Sequence, residues 1–110
     1  MELNRHIDTA VQYCQIPVED TLEQDLSTHF KTAADFIHKA VSNNGRVLVH
    51  CERGCSRSAT FVISYLISMK GMSVAEAVEH VRQCRSVIAP NASFMLQLHN
   101  FEQHCKTAAV

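Results

Sequence analysis

The stretch RVLVHCERGCSRSATFVISYLISMK, Arg46 to Lys70, decides how this chain is read. Its first five residues, Arg46 to His50, form a short β-branched run after the Gly45 turn, the composition of a buried central strand. From Ser58 to Lys70 it is apolar nearly all round (Ala59, Phe61, Val62, Ile63, Tyr65, Leu66, Ile67, Met69), so the helix expected there is buried on most sides. Between strand and helix lies a short loop, Cys51 to Arg57. A strand that feeds a loop opening a buried helix is the local signature of an α/β fold.

On the N-terminal side, Val11 to Val18 (VQYCQIPV) reads as a second strand, running into a polar loop, Glu19 to Asp25, that carries the acids Glu19, Asp20, Glu23 and Asp25. From Leu26 to Val41 the residues Leu26, Phe30, Ala33, Ala34, Ile37, Ala40 and Val41 recur at helical spacing, and the pattern stops at Ser42-Asn43-Asn44-Gly45. On the C-terminal side Gly71 ends the buried helix. Ser73-Val74-Ala75-Glu76 is a capping box, opening a helix with the stripe Val74, Ala77, Val78, Val81 and Cys84. A last helix starts near Asn91, with Phe94, Leu98, Phe101 and Cys105 on one face. Strand, helix, strand and three helices predict one α/β domain over residues 1–110.

Composition agrees with a single small domain: 110 residues, 46% hydrophobic and 19% charged, with no Trp, so the core must be mostly aliphatic. Ten Lys plus Arg against eleven Asp plus Glu leave a charge of −1, with no basic field to attract nucleic acid or an anionic membrane. The longest mostly apolar run, Ala59 to Met69, is too short to span a bilayer. Five cysteines without a C-x-x-C pair or a preceding secretory signal predict a reducing compartment, cytoplasmic or nuclear.

The loop carries the chemistry. Cys51 and Arg57 are separated by five residues, with Gly54 between them. Such a loop can curl around a tetrahedral dianion, with the backbone N–H groups of Glu52, Arg53, Gly54, Cys55 and Ser56 pointing inward and the helix N-terminus adding partial positive charge. The planar fork of Arg57 closes the cup by binding two oxygens at once. Cys51, at the bottom, lies where the same field favours thiolate, lowering its pKa from about 8.5 into the range of roughly 3.5 to 7.5. The Ser58 hydroxyl can donate to that thiolate when it leaves, and His50 braces the loop rather than acting as a base.

The pattern His50-Cys51-x-x-Gly54-x-x-Arg57-Ser58 resembles the signature of cysteine-based protein phosphatases, and its flanks resemble the small dual-specificity branch. The flanking likeness rests on Ile16-Pro17-Val18-Glu19-Asp20, Phe36-Ile37, Ser56-Arg57-Ser58-Ala59-Thr60, Tyr65-Leu66 and Pro90-Asn91. The resemblance implies a central, mostly parallel sheet flanked by helices, a shallow cleft for phosphotyrosine and phosphoserine or phosphothreonine, and a phosphorylated protein as substrate. It implies no cofactor and no metal. It gives the role of general acid to Asp20, 31 positions ahead of Cys51 and on a mobile loop, with Glu19 and Asp25 as rivals. It makes Asn91 the asparagine that hydrogen-bonds the phosphate loop from the helical side. Where lipid-directed relatives carry lysines in the loop, this one has Glu52 and Arg53, which points to protein. The family domain is longer than this chain, so the fold is expected to be shortened at its N-terminus. A natural short isoform, a designed or excised fragment and a homodimer that completes the fold all answer to that expectation.

Other residues have plainer readings. Cys14, Cys84 and Cys105 lie on expected apolar faces and read as small core hydrophobes. Cys55 reads either as a reversible disulfide partner of Cys51 or as a small filler. The seven histidines lack metal-ligand spacing. Two functions follow: a phosphoprotein phosphatase, or a module that binds phosphorylated partners without turning them over.

Overall fold

The computed structural model describes residues 16–43, 45, 47, 56–84 and 88–108. Among these are four helices, α1 (Ser27–Ser42), α2 (Arg57–Lys70), α3 (Val74–Cys84) and α4 (Ala92–Ala108). The strands expected at 11–18 and 46–50 fall largely outside the described residues. Of them, Ile16 and Val18 are buried and Val47 packs half-buried against the core.

α2 is the central element and touches each of the other three helices. Nine of its residues are buried, including the polar Ser58, Thr60 and Ser64. A helix enclosed on so many sides must satisfy its hydroxyls internally. Thr60 Oγ1 donates to the Ser56 carbonyl at 2.7 Å and Ser64 Oγ to the Phe61 carbonyl at 2.7 Å. α2 stops at Gly71, whose φ of 68° lies in the left-handed region that a side chain disfavours.

Phe30 of α1 ties three helices together. Its ring meets Phe61 of α2 edge-on at 6.0 Å and Phe101 of α4 at 5.0 Å. With Leu26, Ala33, Ala34, Ile37, Ile63 and Leu98 it forms the buried centre. α1 ends where Gly45 N–H returns to the Ala40 carbonyl at 2.8 Å. An added Cβ on Gly45 would lie 2.8 Å from that same oxygen, which explains glycine there.

Two expected core positions are corrected. Val41, assigned to the apolar stripe of α1, is 46% exposed, because it follows the last fully covered residue of that stripe, Ile37, by a full turn. Cys84 is also exposed rather than a core hydrophobe. Burial fades along α3, from Val74 and Ala77 through half-covered Val81, and Cys84 is its final residue.

α4 supplies caps to its neighbours as well as packing. The capping box at Ser73 forms as expected, Ser73 N–H donating to Glu76 Oε1 at 3.0 Å and Glu76 N–H to Ser73 Oγ at 3.1 Å. The Val74 N–H at the start of α3 is taken by Glu102 of α4. The N-cap residue of α1, Leu26, has no side-chain acceptor; its own N–H is met by Gln97 of α4, and the Ser27 N–H by Gln97 and Asp25 together.

Candidate active site

The N-terminus of α2 presents Ser56, Arg57 and Ser58 in succession. Ser56 and Ser58 are buried and Arg57 is half-buried. Arg57 Nη1 donates to the Val18 carbonyl at 2.9 Å, tying the guanidinium to a residue two positions before Asp20. That bond restrains the guanidinium, whose planar fork suits bidentate recognition of a phosphoryl group.

Asp20 is brought to the same region by Asn91, the residue preceding α4. Asn91 Nδ2 donates to Asp20 Oδ1 at 2.9 Å and to the Thr21 carbonyl at 3.2 Å. Its Oδ1 accepts the Phe94 N–H at 2.9 Å, so the carboxamide also caps α4. Because one end of this amide faces an N–H donor and the other faces oxygen acceptors, its orientation is set by chemistry. The Asn91 backbone N–H donates to Ser56 Oγ at 3.2 Å, at the threshold of α2. One asparagine therefore joins Asp20, Ser56 and α4.

The neighbouring acids are engaged differently. Asp25 Oδ1 accepts the Ser27 N–H at 2.9 Å and the Ser27 hydroxyl at 2.5 Å. These bonds, the hydroxyl first, hold its carboxyl below the usual range and commit it to the start of α1. Glu19 donates its backbone N–H to Gln24 Oε1 at 3.1 Å.

Sequence reasoning did not single out Thr21, Gln24 or Gln97. Thr21 Oγ1 accepts the Gln24 N–H at 3.2 Å, and Gln97 of α4 reaches the segment from Gln24 to Ser27. A glutamine on a helix face carries no local sign of partners that lie 70 to 73 positions away.

His50, Cys51, Glu52, Arg53, Gly54 and Cys55 lie outside the described residues. Among the described residues no three His, Cys, Asp or Glu gather as a metal site, and no helix is long and apolar enough to cross a membrane.

The family description "dual specificity phosphatase, catalytic domain" matches residues 1–104. The chain belongs to that family. Human dual specificity protein phosphatase 1 is 45% identical over 109 residues, covering 94% of this chain but 30% of that protein. The crystal structure of DUSP15 superposes with a TM-score of 0.84 at 32% identity, covering 96% of this chain and 70% of that one. A mouse dual specificity phosphatase crystallised with zinc tungstate superposes with a TM-score of 0.82 at 36% identity, covering 84% of this chain and 58% of that one.

Proposed function

We propose that the chain hydrolyses phosphotyrosine and phosphoserine or phosphothreonine in proteins through a cysteinyl-phosphate intermediate. The observation that carries this reading is the convergence of Arg57 and Asp20. The arginine is bonded to Val18, and the acid two residues later is held by Asn91, whose own N–H meets Ser56 beside that arginine. A tetrahedral oxyanion, tungstate, accompanies the mouse relative, which suits a loop that cups phosphate. The same reading takes 11–18 and 46–50 as strands of a central, mostly parallel sheet that sets the loop in front of α2.

In the first step the Cys51 thiolate attacks phosphorus, an S–P bond forms and the ester P–O bond breaks. Asp20 delivers its proton to the departing oxygen. Asn91 donates to Asp20 Oδ1, so that oxygen is an acceptor and the transferable proton sits on Oδ2. In the second step the Asp20 carboxylate takes a proton from water as the water oxygen attacks phosphorus. The S–P bond breaks and inorganic phosphate leaves. Arg57 and the loop amides hold the three equatorial oxygens throughout, and the Ser58 hydroxyl stabilises the departing thiolate. Each proton that Asp20 gives in the first step it regains in the second. Glu52 and Arg53 place no cluster of extra cations around the cup, which suits a protein phosphomonoester.

The test is hydrolysis of an aryl phosphate with a metal chelator present. Turnover that vanadate inhibits and Cys51→Ser abolishes is the expected result. Phosphopeptide binding without turnover would instead make the chain a recognition module, and turnover that survives Cys51→Ser would overturn the thiolate mechanism.

A further inference from the structure

Gln97 uses both ends of its carboxamide, one to the loop that carries Asp20 and the other to the start of α1 directly after that loop. Its Oε1 accepts the Leu26 N–H at 2.7 Å and the Ser27 N–H at 3.2 Å. Its Nε2 donates to the Gln24 carbonyl at 3.0 Å and to Ser93 Oγ, on its own helix, at 3.1 Å. Gln24 is in turn the hub of the loop. Its Oε1 accepts the Glu19 N–H at 3.1 Å, its Nε2 donates to the Asp25 carbonyl at 3.0 Å, and its own N–H goes to Thr21 Oγ1 at 3.2 Å.

The loop from Glu19 to Asp25 is thus closed on itself through Gln24 and fastened to α4 through Gln97. Six residues before Gln97, Asn91 holds the Asp20 carboxylate directly. Six residues of helix rise about 9 Å, so a rigid end of α4 holds the acid at its carboxylate and its loop at the hub. Loop backbone is ordinarily the easiest part of a domain to displace, and a proton donor displaced by an ångström loses much of its effect.

We infer that Gln97 is a positioning residue for the general acid, acting through the Gln24 carbonyl to hold the Asp20 loop in its proton-donating geometry. The inference rests on the reading of Asp20 as the acid. Gln97 touches neither Asp20 nor the phosphoryl group, and its effect is confined to the step that needs the proton.

Gln97→Glu and Gln97→Met separate positioning from folding. Glutamate keeps an acceptor for the first N–H groups of α1, where its charge also suits the helix N-terminus, but cannot donate to the Gln24 carbonyl. Methionine keeps the length of the side chain and removes both functions. Melting midpoints report folding, and kcat/KM is measured on two aryl phosphates, one with a poor leaving group that needs a proton and one with a leaving group that departs as a stable anion. The expected result for Gln97→Glu is a loss of about tenfold or more on the first and under about threefold on the second. In an Asp20→Asn background the same substitution should cost nothing further, because the acid it positions is already absent.

Equal losses on both substrates, no loss on either, or an additive loss in the Asp20→Asn background would overturn the inference. Asp20→Asn alone distinguishes this failure from failure of the acid assignment. If it slows the poor substrate while Gln97→Glu does not, only the positioning role falls; if it leaves the poor substrate unchanged, the acid assignment falls and the positioning role with it.

Discussion

Asn91 Nδ2 donates to Asp20 Oδ1 at 2.9 Å across 71 positions of sequence, while the same carboxamide caps α4 through Phe94 N–H. The candidate acid is therefore attached to a helix end rather than suspended on a loop alone. Bonds from Asn91, Gln24 and Gln97 all reach the loop that carries Asp20.

This double use of Asn91 can be divided by substitution. Asn91→Ser retains an N-cap oxygen for α4 but is too short to reach Asp20, whereas Asn91→Ala loses both. The alanine variant is expected to lose about 1 kcal/mol of stability and the serine variant a few tenths. Both should lose activity on the poor leaving group to a similar extent. Denaturant titration together with kcat/KM on the two aryl phosphates checks this, and full activity in the serine variant would show that the bond to Asp20 has no part in turnover.

Asp20→Asn removes the proposed proton donor. A donor functions only while protonated, so its contribution declines as pH rises, and the basic limb of the pH profile belongs to it. The variant should be slower by about 10²- to 10⁴-fold on the poor leaving group, with that basic limb flattened. An unchanged basic limb would move the acid role to Glu19, since Asp25 is occupied by Ser27.

Glu102 is a stability device with a defined pH dependence. It is buried on α4, accepts the Val74 N–H and pairs with Lys106 Nζ at 3.1 Å. The Val74 N–H foremost, then Lys106, hold its carboxyl below the ordinary value of 4.5. A carboxyl depressed by folding stabilises the native state fully above its unfolded value, and that contribution disappears as pH falls through the lower folded value. Glu102→Gln should cost about 1–2 kcal/mol at neutral pH, and its stability should fall less steeply than the parent's on acidification from pH 4.5. Parallel curves for the two proteins would remove Glu102 from the acid response.

Cys14 lies outside the described residues, and the other two cysteines beyond the loop differ in accessibility. Cys84 is exposed at the end of α3, whereas Cys105 packs half-covered against the core and burial pushes its thiol up. Alkylation followed by peptide mass mapping at neutral pH should label Cys84 well before Cys105. The reverse order would contradict the packing of α4 against α2.

Much of the helical framework was legible in the chain because its signals are local. Apolar periodicity located α1 to within a residue, the Ser73 and Glu76 pair marked the start of α3, and Gly71 marked the end of α2. The misplacements of Val41 and Cys84 have one cause. Periodicity says which face of a helix is apolar but not how far along that face a neighbour extends.

By itself the sequence determined the family and the order of helices, because spacing and residue type along the chain are enough for both, and it offered Asp20 as candidate acid through the family resemblance. Only the tertiary structure decided how the site residues are held. Arg57 on Val18, Asn91 on Asp20 and Gln97 on Gln24 span 39, 71 and 73 positions. The last two depend on where α4 lies against α1 and α2, which the packing of Phe30, Phe61 and Phe101 sets collectively. No local pattern encodes that position, since the energy that selects it belongs to the whole core and not to either partner in the bond.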